Sequence, residues 1–100
     1  MQCYNLYGDI MLRYFIIVKG LVQNVGFRVF CKIHALNYNL TGTIRNLENG
    51  MVEIFIQGKE ENIKKFVKEI KLGNKFIKVE DMSFKQVSLV ENEKNFKIIY

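Results

Sequence analysis

The sequence predicts an α+β domain with two helices laid on one face of an antiparallel sheet. Three observations predict it. Apolar residues alternate with period two in several segments and recur at helical spacing in two others. The segments come in the order strand, helix, strand, strand, helix, strand, with a short final strand. An Asn49-Gly50 pair joins the two middle strands, and such a pair is the strongest short hairpin signal because both central positions of a type I′ turn need positive φ. The chain has 100 residues, 49% of them apolar, which suits one domain with one modest core.

Residues 1–11 (MQCYNLYGDIM) show no clear period and read as an N-terminal extension that need not be ordered, ahead of a domain over residues 12–100. Leu12–Lys19 (LRYFIIVK) is rich in β-branched and aromatic residues. Tyr14, Ile16 and Val18 share one face and Phe15 and Ile17 the other, as in a central strand. A helix then starts at Phe27-Arg28. Phe27, Phe30, Cys31, His34, Ala35 and Tyr38 form its apolar stripe, and Val29, Ile33 and Leu36 are expected to widen it.

The second strand is expected over Thr41–Leu47 and the returning strand over Met51–Gln57, with Val52, Ile54 and Ile56 on one face. From Lys59 the period changes to that of a helix. Ile63, Phe66, Val67 and Ile70 fall at i, i+3, i+4, i+7, with Glu60 and Glu61 in the first turn and Gly73 as the stop. Burying those four contributes about 6–12 kcal/mol. Ordering the helix backbone costs at least as much, so this helix needs a sheet beneath it. Lys64, Lys65, Lys68 and Lys71 make its solvated face. The last strands fall around Val79–Leu89 and Phe96–Tyr100. This order is the split βαβ, ferredoxin-like sandwich.

Fifteen Lys and Arg against ten Asp and Glu give a charge of +5, which favours anionic partners without choosing among them. Cys3 and Cys31 form no Cys-x-x-Cys pair, and no bridge between them is expected. No apolar run approaches the roughly 18–20 residues that span a bilayer, and no secretory signal is visible. A cytoplasmic, reduced protein with no membrane partner is the expectation.

The stretch with chemical content is Gly20-Leu21-Val22-Gln23-Asn24-Val25-Gly26-Phe27-Arg28, between a strand and a helix. Its glycines, and Asn24, which tolerates the left-handed region, let successive backbone N–H groups turn inward. The helix start adds unpaired N–H groups and the positive end of its dipole. Arg28 brings a fork of donors that matches phosphate. The loop is neither a Walker loop nor a dinucleotide-binding turn, since it lacks Gly-Lys-Ser/Thr and G-x-G-x-x-G.

This stretch resembles the acylphosphatase pattern V-x-G-x-V-Q-G-V-G-F-R, here Val18 to Arg28 with Asn24 in place of one glycine. The resemblance continues through Ala35, Asn39-Leu40-Thr41-Gly42, Ile44-Arg45-Asn46, Asn49-Gly50 and Val52-Glu53. It implies hydrolysis of acyl phosphates (carboxylic-phosphoric anhydrides), Arg28 as the phosphate-binding arginine, and Asn46 as the residue that positions the attacking water. Residues Gln23, Asn24, Val25, Gly26, Phe27 and Arg28 are then the phosphate-binding loop. Inorganic phosphate or sulfate is expected as product or inhibitor, with no cofactor, no metal and a monomeric chain. Asn24 and Asn39 depart from family glycines, and Asn24 is expected to be tolerated, though it could reshape the loop and lower the rate.

Plainer readings stand beside these. Arg28 taken alone is a surface arginine, although a first helical turn is a poor place for a cation without an anion to offset it. His34, the only histidine, lies on the apolar stripe with no carboxylate or ligand partner in the pattern, and reads as structural. The rival function is a ferredoxin-like nucleic-acid or protein binding module without catalysis. Phe15 and Phe55 could stand on an open sheet face, but the Lys/Arg-Gly-Phe/Tyr pattern of RNA-binding sheets is missing, so nucleic acid is not the expected partner.

Overall fold

The structure, a computed structural model, describes residues 3–100. Its strands are β1 (Cys3–Tyr4), β2 (Ile10–Leu21), β3 (Thr41–Asn46), β4 (Val52–Lys59), β5 (Lys78–Val87) and β6 (Phe96–Ile98). Helices α1 (Phe27–Asn37) and α2 (Glu60–Leu72) follow β2 and β4. The long strand β2 runs through the middle of a six-stranded sheet. It pairs antiparallel with β4 on one side and with β5 on the other, and β3 lies beyond β4. The two helices cover one face, so the ferredoxin-like order is present.

The sheet is mixed rather than wholly antiparallel. After β5 the chain crosses to the far edge, and β6 enters beside β3 in the same direction, with Ile44 opposite Ile98. Residues 88–95 make this crossing over the open face. Arg13, only 6% exposed, donates to Glu93 and Gln57, and the hydroxyl of Thr41 donates to the same Glu93 carboxylate. The Gln57 side chain clasps the backbone of Val90 in both directions.

The central strand is longer at both ends than the apolar pattern indicates. Cys3 and Tyr4 pair with Met11 and Ile10, so the stretch without a period folds back as a hairpin. Asn5 holds that turn, its side-chain oxygen accepting from the N–H groups of Tyr7 and Asp9. Such a turn carries no hydrophobic signature. Cys31 is a free, buried thiol whose burial pushes its pKa well up. The Cys3 side chain lies outside the described residues.

Alternation places the core. Leu12, Ile16 and Val18 of β2, Ile44 of β3 and Val52, Ile54 and Ile56 of β4 point to the helices. Phe27, Cys31 and Ala35 of α1 and Ile63, Phe66 and Ile70 of α2 close over them. Val29, Ile33 and Leu36 correct the expected stripe, because all three face outward and are more than half exposed. A helix on a sheet buries one stripe, and that stripe is already filled by Phe27, Cys31 and Ala35.

The hairpin between β3 and β4 turns on three residues, where the Asn49-Gly50 pair indicates a two-residue type I′ turn. Gly50 donates to the Leu47 carbonyl, Leu47 donates to the Met51 carbonyl, and of the loop residues only Gly50 has positive φ (89°). That is a three-residue loop ending in a left-handed residue rather than a type I′ turn. Asn49 instead uses its side chain to accept from the Met51 N–H.

Candidate active site

The loop from β2 to α1 is shaped by backbone conformation that its sequence permits. A bulge between Lys19 and Gly20 turns the end of β2, and a Cβ on Gly20 would collide with the Lys78 carbonyl. Asn24 (φ 61°) and Gly26 (φ 77°) are both left-handed with Val25 between them. Left-handed residues set between right-handed ones make a concave run of N–H groups that suits an anion. Asn at position 24 therefore holds the conformation a glycine would hold. The same exchange recurs at Asn39 (φ 55°), where Leu40 and Asn39 donate back to Ala35 and Leu36 to close α1.

Gly26 caps the start of α1 without any side-chain hydrogen bond. The first N–H groups of the helix have no intrahelical acceptor, and they open toward the loop together with the helix dipole. Phe30 is the first to donate within the helix, to Gly26. The first turn contains no acidic residue, so nothing within it competes for this positive end.

A cavity of about 120 Å³ sits at this point, walled by Val22, Asn24, Gly26, Phe27, Arg28, Val29, Ile98 and Tyr100. It matches about four water volumes, the scale of a tetrahedral oxyanion and far below that of a nucleotide. Arg28 is the only charged side chain in its wall. The Arg28 guanidinium carbon lies 5.2 Å from the centre of the Tyr100 ring, within cation–π range, which restrains the long side chain over the cavity.

The expected site residues divide into two groups. Asn24, Gly26, Phe27 and Arg28 line the cavity together. The Val25 side chain packs against the core, and Gln23 reaches across to the β3–β4 hairpin. There its amide donates to the carbonyls of Leu47 (2.7 Å) and Met51 (2.9 Å). Asn46, the residue before Leu47, is not in the cavity wall. Its Oδ1 is buried and accepts no hydrogen bond from any described residue. A buried acceptor in that condition calls for a donor from water or ligand.

Sequence reasoning missed Tyr100. Asn46 and Tyr100 each lie two residues beyond the Ile44–Ile98 pair of β3 and β6, so the chain end comes level with the asparagine. Nothing in the sequence tells which edge of the sheet β6 joins, and no signal short of topology places Tyr100 at the site. His34 packs edge-on against Phe30 at 4.6 Å between ring centres and takes no part in the cavity. No group of three or more His, Cys, Asp or Glu able to hold a metal ion occurs among the described residues. No helix among them is long and apolar enough to cross a membrane.

Comparison with known proteins points one way. The acylphosphatase family model matches residues 14–98. A protein of Clostridium acetobutylicum named acylphosphatase is 50% identical over 90 residues, covering 90% of this chain and 99% of that one. The crystal structure of acylphosphatase from Bacillus subtilis superposes with a TM-score of 0.84 at 40% identity, covering 89% of this chain and 99% of that one. HypF from T. kodakarensis contains a similar region, with a TM-score of 0.79 and 29% identity over 89% of this chain and 12% of HypF.

Proposed function

The chain belongs to the acylphosphatase family, and from that premise we propose how its own residues carry out the hydrolysis. The enzyme is a hydrolase that splits an acyl phosphate into a carboxylate and inorganic phosphate. The phosphoryl group sits in the Arg28 cavity, held by the N–H groups of residues 23–28 and by the Arg28 fork. Asn46 Oδ1 accepts a hydrogen bond from the attacking water. The water oxygen forms a bond to phosphorus as the bond from phosphorus to the acyl oxygen breaks. The bond pair leaves with the carboxylate, and the water's proton passes to a phosphate oxygen.

Little else is required. The leaving group is the conjugate base of a carboxylic acid with a pKa of about 4, so it departs without a general acid. The protein's task is to hold the phosphoryl group in line and to offset its charge. The observation that carries the assignment of roles is the contrast between two residues. Arg28 lines an anion-sized cavity with its guanidinium donors, while Asn46, on the hairpin that Gln23 ties to the same loop, keeps a buried acceptor without a partner among the described residues. A donor array suits phosphate and a lone acceptor suits water.

The substrate in this proposal is a small-molecule acyl phosphate, and the enzyme is placed in the cytoplasm as a monomer. The test is release of inorganic phosphate from benzoyl phosphate by the purified protein, with inorganic phosphate and sulfate as competitive inhibitors. No release above the spontaneous rate would contradict the proposal.

A further inference from the structure

The outward face of α1 is not polar throughout. Val29, Ile33 and Leu36 are 54%, 53% and 58% exposed, and their spacing of i, i+4, i+7 aligns them in one stripe along the helix. Single exposed apolar side chains are ordinary. This stripe is different because it begins at the site: Val29 is part of the cavity wall. Side chains on a helix tilt toward its N-terminus, so Val29 leans toward the cavity mouth and the other two continue the line away from it.

We propose that this stripe receives the acyl tail of the substrate and makes the enzyme selective for linear, apolar acyl phosphates of medium length. The inference rests on the acyl phosphate reading of the Arg28 cavity. A space of about 120 Å³ has room for a phosphoryl group and little more, so on this reading the acyl group stands outside it. Among the wall residues, the exposed apolar side chains at the mouth are Val29 and Tyr100, and the Tyr100 ring already faces Arg28. Ile33 and Leu36 lie about 6 and 10 Å beyond Val29 along the helix axis. A short acyl group touches Val29 alone, and a longer one reaches Ile33 and then Leu36. Three half-exposed aliphatic side chains suit one alkyl chain. They fall well short of the roughly 800 Å² per partner of a stable protein interface.

The experiment measures kcat/KM for acetyl, butyryl, hexanoyl and octanoyl phosphate below micelle-forming concentrations. A methylene fully buried is worth about a factor of four, and one lying with a single side on protein about a factor of two. The expected rise from acetyl to hexanoyl phosphate is therefore about tenfold or more. Ile33→Ser and Leu36→Ser should flatten the longer-chain end of the series while leaving acetyl phosphate turnover and inhibition by inorganic phosphate unchanged, which also shows that the variants fold. A flat series in a parent enzyme that turns over acetyl phosphate normally would overturn the inference and leave the proposed function standing. So would a slope that survives both substitutions, or self-association that Ile33→Ser abolishes while the slope persists. Failure to hydrolyse acetyl phosphate at all would instead overturn the activity, and the inference with it.

Discussion

Gln23 Nε2 lies 2.7 Å from the Leu47 carbonyl oxygen and so ties the loop between β2 and α1 to the hairpin that carries Asn46. The same amide reaches the Met51 carbonyl, just ahead of β4. One side chain thus sets the spacing between the loop proposed to hold phosphate and the residue proposed to position the water. Gln23→Ala should lower kcat more than it weakens phosphate inhibition, because each half of the site survives and only their alignment loosens. Two hydrogen bonds at about 1 kcal/mol each predict a stability loss of about 1–3 kcal/mol, read from urea unfolding. A variant with normal kcat would mean that the two halves are aligned by something else.

Arg28→Ala should abolish turnover and weaken phosphate inhibition by about 1.5–3 kcal/mol or more, the scale of a charged hydrogen bond. Arg28→Lys should rescue little, since a point charge does not reproduce the fork. Inhibition constants for inorganic phosphate decide this. Equal constants in Arg28→Ala and the parent would remove the arginine from the site.

The substrate range follows from the missing general acid. Benzoyl and acetyl phosphate should be hydrolysed and p-nitrophenyl phosphate scarcely at all, because a phosphate monoester has a poorer leaving group. EDTA should leave the rate unchanged, since no cluster of metal ligands occurs among the described residues. Loss of activity on chelation, restored by a divalent ion, would show that the phosphate is not held by protein donors alone.

The N-terminal hairpin should respond to acid independently of the site. Asp9 accepts from the Asn5 amide and pairs with Lys59, and these hold its carboxyl below the ordinary value of 3.8. Its folded pKa is lowered, so its contribution to stability is present above about pH 4 and is lost as the pH falls through the folded value. Protection of the Met11 and Asn5 amides, taken relative to their intrinsic exchange at each pH, should therefore fall in acid. Asp9→Asn should remove that dependence and leave phosphate inhibition as it was. Protection in the parent that does not change with acid would contradict the pairing.

Most of the framework could be read from the chain because one face of each element is buried. Alternation at Ile16 and Val18 and at Val52, Ile54 and Ile56, and the i, i+3, i+7 pattern of Ile63, Phe66 and Ile70, are direct records of that burial. The conformation of the loop over residues 20–28 was legible for a different reason: Gly20, Asn24 and Gly26 mark backbone conformations that few residues adopt. What escaped was decided by tertiary geometry. Val29, Ile33 and Leu36 carry the composition of a core and lie outside it. The edge chosen by β6, and with it Tyr100 at the cavity, depends on a crossing held by Arg13 and Glu93, two charges that would ordinarily be assigned to the surface.

Asn46→Ala tests the account most directly. If Asn46 orients the attacking water, its loss should cost about 3–4 kcal/mol of transition-state stabilisation, or 10²–10³ in kcat, by analogy with removal of one preorganised donor. Inhibition by inorganic phosphate should remain near that of the parent, because the Arg28 cavity does not include Asn46 in its wall. Neither arginine nor asparagine side chains ionise between about pH 5 and 8, so kcat of the parent should be flat there and His34→Gln should leave it so. An Asn46→Ala enzyme with near-normal kcat, or a parent rate that follows one ionisation in that range and loses it in His34→Gln, would contradict the account.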